Sequence, residues 1–358
     1  MSDTMSGKVA DRGVPAGLLE TRGAVRGVDG HVTACAASRD SRRFAFATGE
    51  GDVVLAARED FGDAAAWQVR TVHDGAILSL APDAAPGGFL TGGDDCALRR
   101  VGADGAVTDL ARGRRWIEHV ASWSDGKSGV IAFAAGKQVE LRDAAGTRTL
   151  KVLEHPSTVS GIVFDAKGKR IAASHYNGAS LWFVHAKVDT PRRLDWKGSH
   201  TGIAIHPGGE ALVTAMQEND LHGWRLSDGH NMRMSGYPAK VQSMAFSRTG
   251  KWLVTGGADS VVMWPFFGGG PMGKPPSELA GLPGVICRRV ACHPVHEIVA
   301  AGFADGTILL EDAAAQRVLP VRGGGGGAVS ALAFSPDGSA LGFGTEDGQI
   351  GIVDLASK

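Results

Sequence analysis

Thiols and imidazoles close together are the side chains that hold soft metal ions, and "CRRVACHPVHE" brings Cys287, Cys292, His293 and His296 into one short segment. The spacing argues against a single site. A strand rising about 3.3 Å per residue separates Cys287 from Cys292 by roughly 16 Å, too far for one tetrahedral centre. Cys292 falls at an apolar strand position, and His293-Pro294 follows it as His206-Pro207 follows Ile205. A second candidate, His230, Met232 and Met234 in "GHNMRMSG", alternates as an outer strand does. The common catalytic patterns G-x-x-x-x-G-K-[ST], H-E-x-x-H and G-x-S-x-G are missing. No catalytic residue, no metal ligand set and no cofactor is predicted, and the chain reads as a protein other than an enzyme.

Basic side chains cluster at Arg99, Arg100, Arg112, Arg114 and Arg115 beside Trp116, a combination suited to RNA or an acidic peptide. Asp94, Asp95, Asp104 and Asp109 interleave with them, so the stretch reads as a mixed, solvated surface. The whole chain is balanced in the same way: 37 basic and 38 acidic residues in 358 give a net charge of -1. That balance excludes a general attraction to nucleic acid or to an anionic membrane. "MSDTMSGKVADRG" at the start has no apolar run, and no segment reaches the roughly 18 apolar residues of a membrane-spanning helix. Cys35, Cys96, Cys287 and Cys292 are too scattered for a disulfide framework. A cytoplasmic protein with reduced thiols is expected.

A repeat positions these residues. "ALAFSPDG", ending the chain's last apolar run before a turn, has relatives upstream in "VACHPVHE", "SMAFSRTG", "GIAIHPGG", "GIVFDAKG", "HVASWSDG", "ILSLAPDA" and "TACAASRD". Taking Ala37, Leu80, Ser122, Phe164, Ile205, Phe246, Cys292 and Phe334 as anchors defines units one to eight, with steps of 41 to 46 residues. The second anchor can move by two residues without changing the result. Each first strand is apolar on both faces, with a small residue such as Ala36, Ala121, Ala204, Ala245, Ala291 or Ala333 before the anchor. A second strand follows ("WLVTGG", "EIVAAG", "ALGFG"), then an Asn/Asp-Gly turn, then a third strand ending in Trp or in an acid ("SLWF", "HGWRL", "VVMWPF", "ILLED", "IGIVDL"). Fifty-two glycines fit many tight turns and closely packed layers. "FFGGGPMGKPPSELAGLPG" at 266–284 reads as a long surface loop with Phe266 and Phe267 at its root.

"FSPDG…GTEDGQIGIVDL", "FSRTG…VTGGADSVVMW" and "FDAKG…SLWF" at this period resemble tryptophan–aspartate (WD40) repeats, over roughly residues 28–355. The resemblance implies an all-β fold: a β-propeller of four-stranded antiparallel blades. It also implies that His155, Ser174 and Trp182, His73, and Thr255, Asp259 and Trp264 with Tyr237 in the His position are structural groups. Eight blades are expected, with a seven-bladed ring, irregular across 105–150, as the alternative. The last unit supplies three strands, so the missing one is expected from the N-terminal side, by pairing near Leu18–Arg26 with Gln349–Leu355. Residues 1–16 are then a disordered tail and 17–358 one WD40-type domain.

Members of such a family bind through the face carrying the turns after the second strands and the starts of the first strands. On it this sequence places His175, Tyr176, Met216, Gln217 and Phe303, with Glu118, Gln242 and Arg288 at one equivalent place in their first strands, toward the channel. The expected function is a non-catalytic, rigid scaffold for another protein, with no nucleic-acid or membrane partner. The alternative is a propeller that binds a metal or small ligand, in metal handling.

Overall fold

The computed structural model describes residues 17–356 except 316. Unit one shows the plan: Val32–Ala37, Arg43–Thr48, Asp52–Ala57 and Gln68–Thr71 pair in that order, each antiparallel to the next. The inner strands are nearly continuous apolar runs because both faces lie against neighbouring units, whereas the outermost is mostly exposed. First strands of successive units lie side by side around a channel, and Val329–Phe334 of unit eight lies against Val32–Ala37 of unit one. The ring is closed. The tail expected over residues 1–16 lies outside the described residues.

Eight separate blades are not what forms. Among the described residues the β-propeller ring has seven sheets, six of four strands and one of six, which matches the seven-bladed alternative. The cause is not the irregular third unit that alternative supposed. His119–Ser124, Gly129–Ala135, Gln138–Asp143 and Thr149–Glu154 make a regular sheet there. Units four and five are instead joined. Arg170–Phe183 is assigned as one 14-residue strand that doubles back at Asn177 and Gly178, so that the Val184 amide donates to the Lys169 carbonyl. Arg192–Ile205, also 14 residues, pairs with Tyr176–Leu181 through its first part and with Ala211–Met216 through its second. Ser199, paired with Tyr176, and His200, paired with Met216, are adjacent in that strand, although residues 196–198 fall outside the register of the first pairing. Eight sequence units therefore occupy seven sheets.

Ring closure follows the expectation, with a shifted start. Gly23–Gly27 pairs antiparallel with the last strand, from Gly23↔Val353 to Gly27↔Gln349. Leu18–Arg22, expected to be part of that strand, is a five-residue helix. Its Leu18 and Leu19 pack on the apolar cluster of units seven and eight.

The glycines at the ends of second strands have one structural reason. A Cβ on Gly92 would lie 2.5 Å from the Ile117 carbonyl oxygen, and one on Gly256 2.5 Å from that of Cys287. On Gly344 it would meet the Val32 side chain at 2.3 Å. Each of these glycines admits the first strand of the next unit. The long segment 266–284 is not loop throughout: Ser277–Gly281 supplies the outer strand of unit six. Phe266 is buried, and Phe267 is half exposed.

Candidate functional site

Between the first and second strands the register slips at Val32/Ala34, Ile77/Ser79, Val159/Gly161, His200/Gly202, Cys287/Arg289 and Val329/Ala331. Thr33, Leu78, Ser160, Thr201, Arg288 and Ser330 are the residues left over, one β-bulge in each of six units. A bulge re-aims the side chain it carries. All but Leu78 stand four residues before the sequence anchor of their unit, and so do Glu118 and Gln242 in units three and six. Leu78 fits the same rule once the second anchor moves to Pro82. The equivalence expected for Glu118, Gln242 and Arg288 thus extends to every unit.

The hydroxyls in this ring turn inward. Ser330 Oγ donates to the Val32 carbonyl of the next unit at 2.6 Å, and Ser160 Oγ donates to that of His200. Thr33 and Thr201 donate to Ala47 and Ala215 within their own units. The longer side chains are left for the surface. Arg288 pairs with Glu346 at 3.3 Å, while Glu118 is half-buried and Gln242 exposed.

The residues expected on the turns divide by one step along the strand. Tyr176 is 55% exposed, and exposed Gln217 accepts a hydrogen bond from Lys240 Nζ at 2.7 Å. His175, Met216 and Phe303, expected to be exposed, are 4%, 5% and 0% exposed. The second strands run farther than their turn signals suggested, so these three are still paired, with Val159, His200 and Cys287. They point into the packing between units, and the next residue is the first to reach solvent. Glu346, at the same step as Tyr176 and Gln217, was missed because a lone glutamate beside Asp-Gly reads as an ordinary turn residue.

The groups with catalytic residue types are sealed. His73 Nδ1 meets Asp95 Oδ1 at 2.8 Å and Nε2 meets Thr91 Oγ1 at 2.8 Å, a hydroxyl–imidazole–carboxylate line. Thr91 is fully buried and the His73 side chain has no exposure, so no substrate reaches the hydroxyl. Burial pushes the His73 pKa down against the pull of Asp95. Burial alone would raise Asp95, but hydrogen bonds from His73 and Arg99 hold it well below the usual carboxylate range. In unit four Trp182 Nε1 donates to His155 Nε2 at 3.1 Å, whereas Ser174 meets Ser160 rather than the imidazole. In unit six Trp264 Nε1 donates to Tyr237 Oη at 2.6 Å, and Tyr237 meets Thr255 at 2.7 Å.

Among the described residues no three His, Cys, Asp or Glu groups are placed to hold a metal. His293 is buried, with Nε2 on the Gly338 carbonyl of unit eight at 3.1 Å and Nδ1 accepting from the Val295 and His296 amides. Of the arginine cluster, Arg99 pairs with Asp95 and Asp109, and Arg100 with Asp83. Among the described residues no helix is long and apolar enough to cross a membrane.

Comparison with known proteins agrees with this geometry. Residues 290–358 match the family described as the anaphase-promoting complex subunit 4 WD40 domain, and residues 229–264 match the WD domain, G-beta repeat. A guanine nucleotide-binding protein subunit beta-like protein of Encephalitozoon cuniculi is 25% identical over 244 residues, 58% of this chain and 73% of that protein. A serine-threonine kinase receptor-associated protein of Dictyostelium discoideum is 22% identical over 285 residues, 76% of this chain and 92% of that protein. The crystal structure of the computationally designed Ika8 protein superposes with a TM-score of 0.71 at 18% identity, covering 92% of this chain and 98% of that one. The repeated strands, the closed ring and these matches make the chain similar to WD40-repeat β-propellers.

Proposed function

We propose that the protein is a non-catalytic scaffold that binds another protein on the face where the bulged ends of the first strands meet the turns after the second strands. The observation that carries this reading is the ring of bulges. Six of the eight units carry one, and at the equivalent position around the ring the hydroxyls turn inward while Glu118, Gln242 and Arg288 reach the surface, so residue type varies there without disturbing the ladders. Tyr176, Gln217, Glu118, Gln242 and Arg288 are the exposed or half-buried members of the expected set. They combine an aromatic ring, two amides and both signs of charge, as interface cores and rims do. His175, Met216 and Phe303 support the frame from within rather than touching the partner.

The test is an affinity capture with full-length protein, comparing the unmodified chain with a Glu118→Ala, Tyr176→Ala, Arg288→Ala variant. A stoichiometric partner lost only with the variant supports both scaffold and face. A partner retained by the variant rejects the face, and a melting temperature unchanged by the substitutions excludes simple unfolding.

A further inference from the structure

Units five and six carry a tryptophan at one register position of the third strand, Trp224 opposite Leu212 and Trp264 opposite Leu253. Each indole is buried against the preceding unit. Unit seven has a carboxylate there. Glu311 lies opposite Val299, and Val299 opposite the anchor Cys292, as Leu253 lies opposite Phe246. The groups that hold Trp264 are lost as well. Pro283 stands where Tyr237 does relative to the anchor, and Ala301, paired with Val290, stands where Thr255 pairs with Met244.

Glu311 is 1% exposed, and among the described residues neither carboxylate oxygen has a hydrogen-bond partner of ordinary geometry. Beside it, between units six and seven, is a cavity of about 400 Å³. Trp252, Met263 and Leu279 give it apolar walls, and its other charged groups are Glu278, Asp312 and Arg317. Three carboxylates and one guanidinium thus belong to its lining. A carboxylate held in such a place takes either a proton or a cation. The excess of negative charge and the aromatic wall favour an organic cation with an apolar stem. A bare metal ion is disfavoured, since among the described residues no three ligating groups converge.

We propose that this cavity binds an alkylammonium group, its nitrogen paired with Glu311 and its methylene stem against Trp252, Met263 and Leu279. The site is separate from the bulged face and does not depend on the scaffold reading. The same chemistry is offered by a free amine and by a lysine side chain, and the two are distinguished by probe.

Full-length protein is titrated with n-butylammonium, with n-butanol as the neutral match, and with a blocked Gly-Lys-Gly peptide, reading melting temperature and tryptophan fluorescence. Butylammonium is expected to raise the melting temperature while butanol does not. Glu311→Gln, nearly the same shape without the charge, is expected to weaken amine binding about tenfold or more. Glu311→Trp, which fills the space with the residue that units five and six use, is expected to fold and to abolish binding. Binding of the peptide as well as the amine assigns the site to a lysine side chain; binding of the amine alone assigns it to a small molecule. Equal stabilisation by butanol, undiminished amine binding in Glu311→Gln, or no response to any amine at millimolar concentration overturns the proposal.

Discussion

Tyr237 stands where units two and four have His73 and His155, and its hydroxyl takes over the imidazole's task of receiving the Trp264 indole and meeting Thr255. Thr255 Oγ1 also donates to the Val262 carbonyl at 3.2 Å, so removing the Tyr237 hydroxyl leaves the buried Trp264 indole N–H unsatisfied. Tyr237→Phe is expected to cost about 1–3 kcal/mol in urea unfolding, with no change in the slope against denaturant. Glu311 gives a residue-scale pH effect. Burial pushes its carboxyl from 4.5 up to about 7, opposed in part by the nearby Ala280 amide. The folded protein then keeps this proton to higher pH than the unfolded chain. Stability from Glu311 is therefore full below 4.5 and is lost as pH rises through about 7. The neighbouring Cys287 thiol, pushed up to about 12 by burial and then by the charge of Glu311, stays protonated across that window. Glu278, Asp312 and Arg317 are the other charged groups on the cavity. Glu311→Gln should gain stability over the unmodified chain at about pH 8 and not at about pH 5. Parallel melting curves for the two proteins at both values would refute it.

On the scale of strands, sequence and structure part company by one or two residues, and that is enough to redraw the site. Asn177-Gly178 and the other turn signals were legible, but turn chemistry does not say where pairing ends. Pairing continues through His175, Met216 and Phe303 because each side chain has a buried place against the adjoining unit, so the exposed set begins one residue later. The bulges were not legible either. They set one extra first-strand residue between two consecutive pairs of the ladder, a property of two strands together. The small residues were legible in type, and the structure supplies the clash they avoid. Gly92→Ala, which sets a methyl 2.5 Å from the Ile117 carbonyl oxygen, is expected to destabilise by about 1–3 kcal/mol. Backbone does not yield as a flexible side-chain tip does. A variant that unfolds at the same urea concentration as the parent would show that units two and three have slack between them.

For the whole molecule the weak point is the closure, where one outer strand comes from the other end of the chain. Removing residues 1–28 exposes Gln349–Asp354 as an unpaired edge on the outer side of the ring. The truncated protein is expected to melt lower and over a broader range, and a melt matching the full chain would show that the Gly23–Gly27 pairing adds nothing. The sequence by itself determined the all-β class, the repeat, its period and the need for an N-terminal strand, because periodic apolar positions and turn residues act locally and recur. Only the tertiary structure decided the sheet count, the joining of units four and five, and which rim residues are free. It alone also showed Glu311 beside a cavity. Those outcomes depend on how far ladders extend and on which side chains from neighbouring units compete for the same space, and a single strand's residues do not encode that.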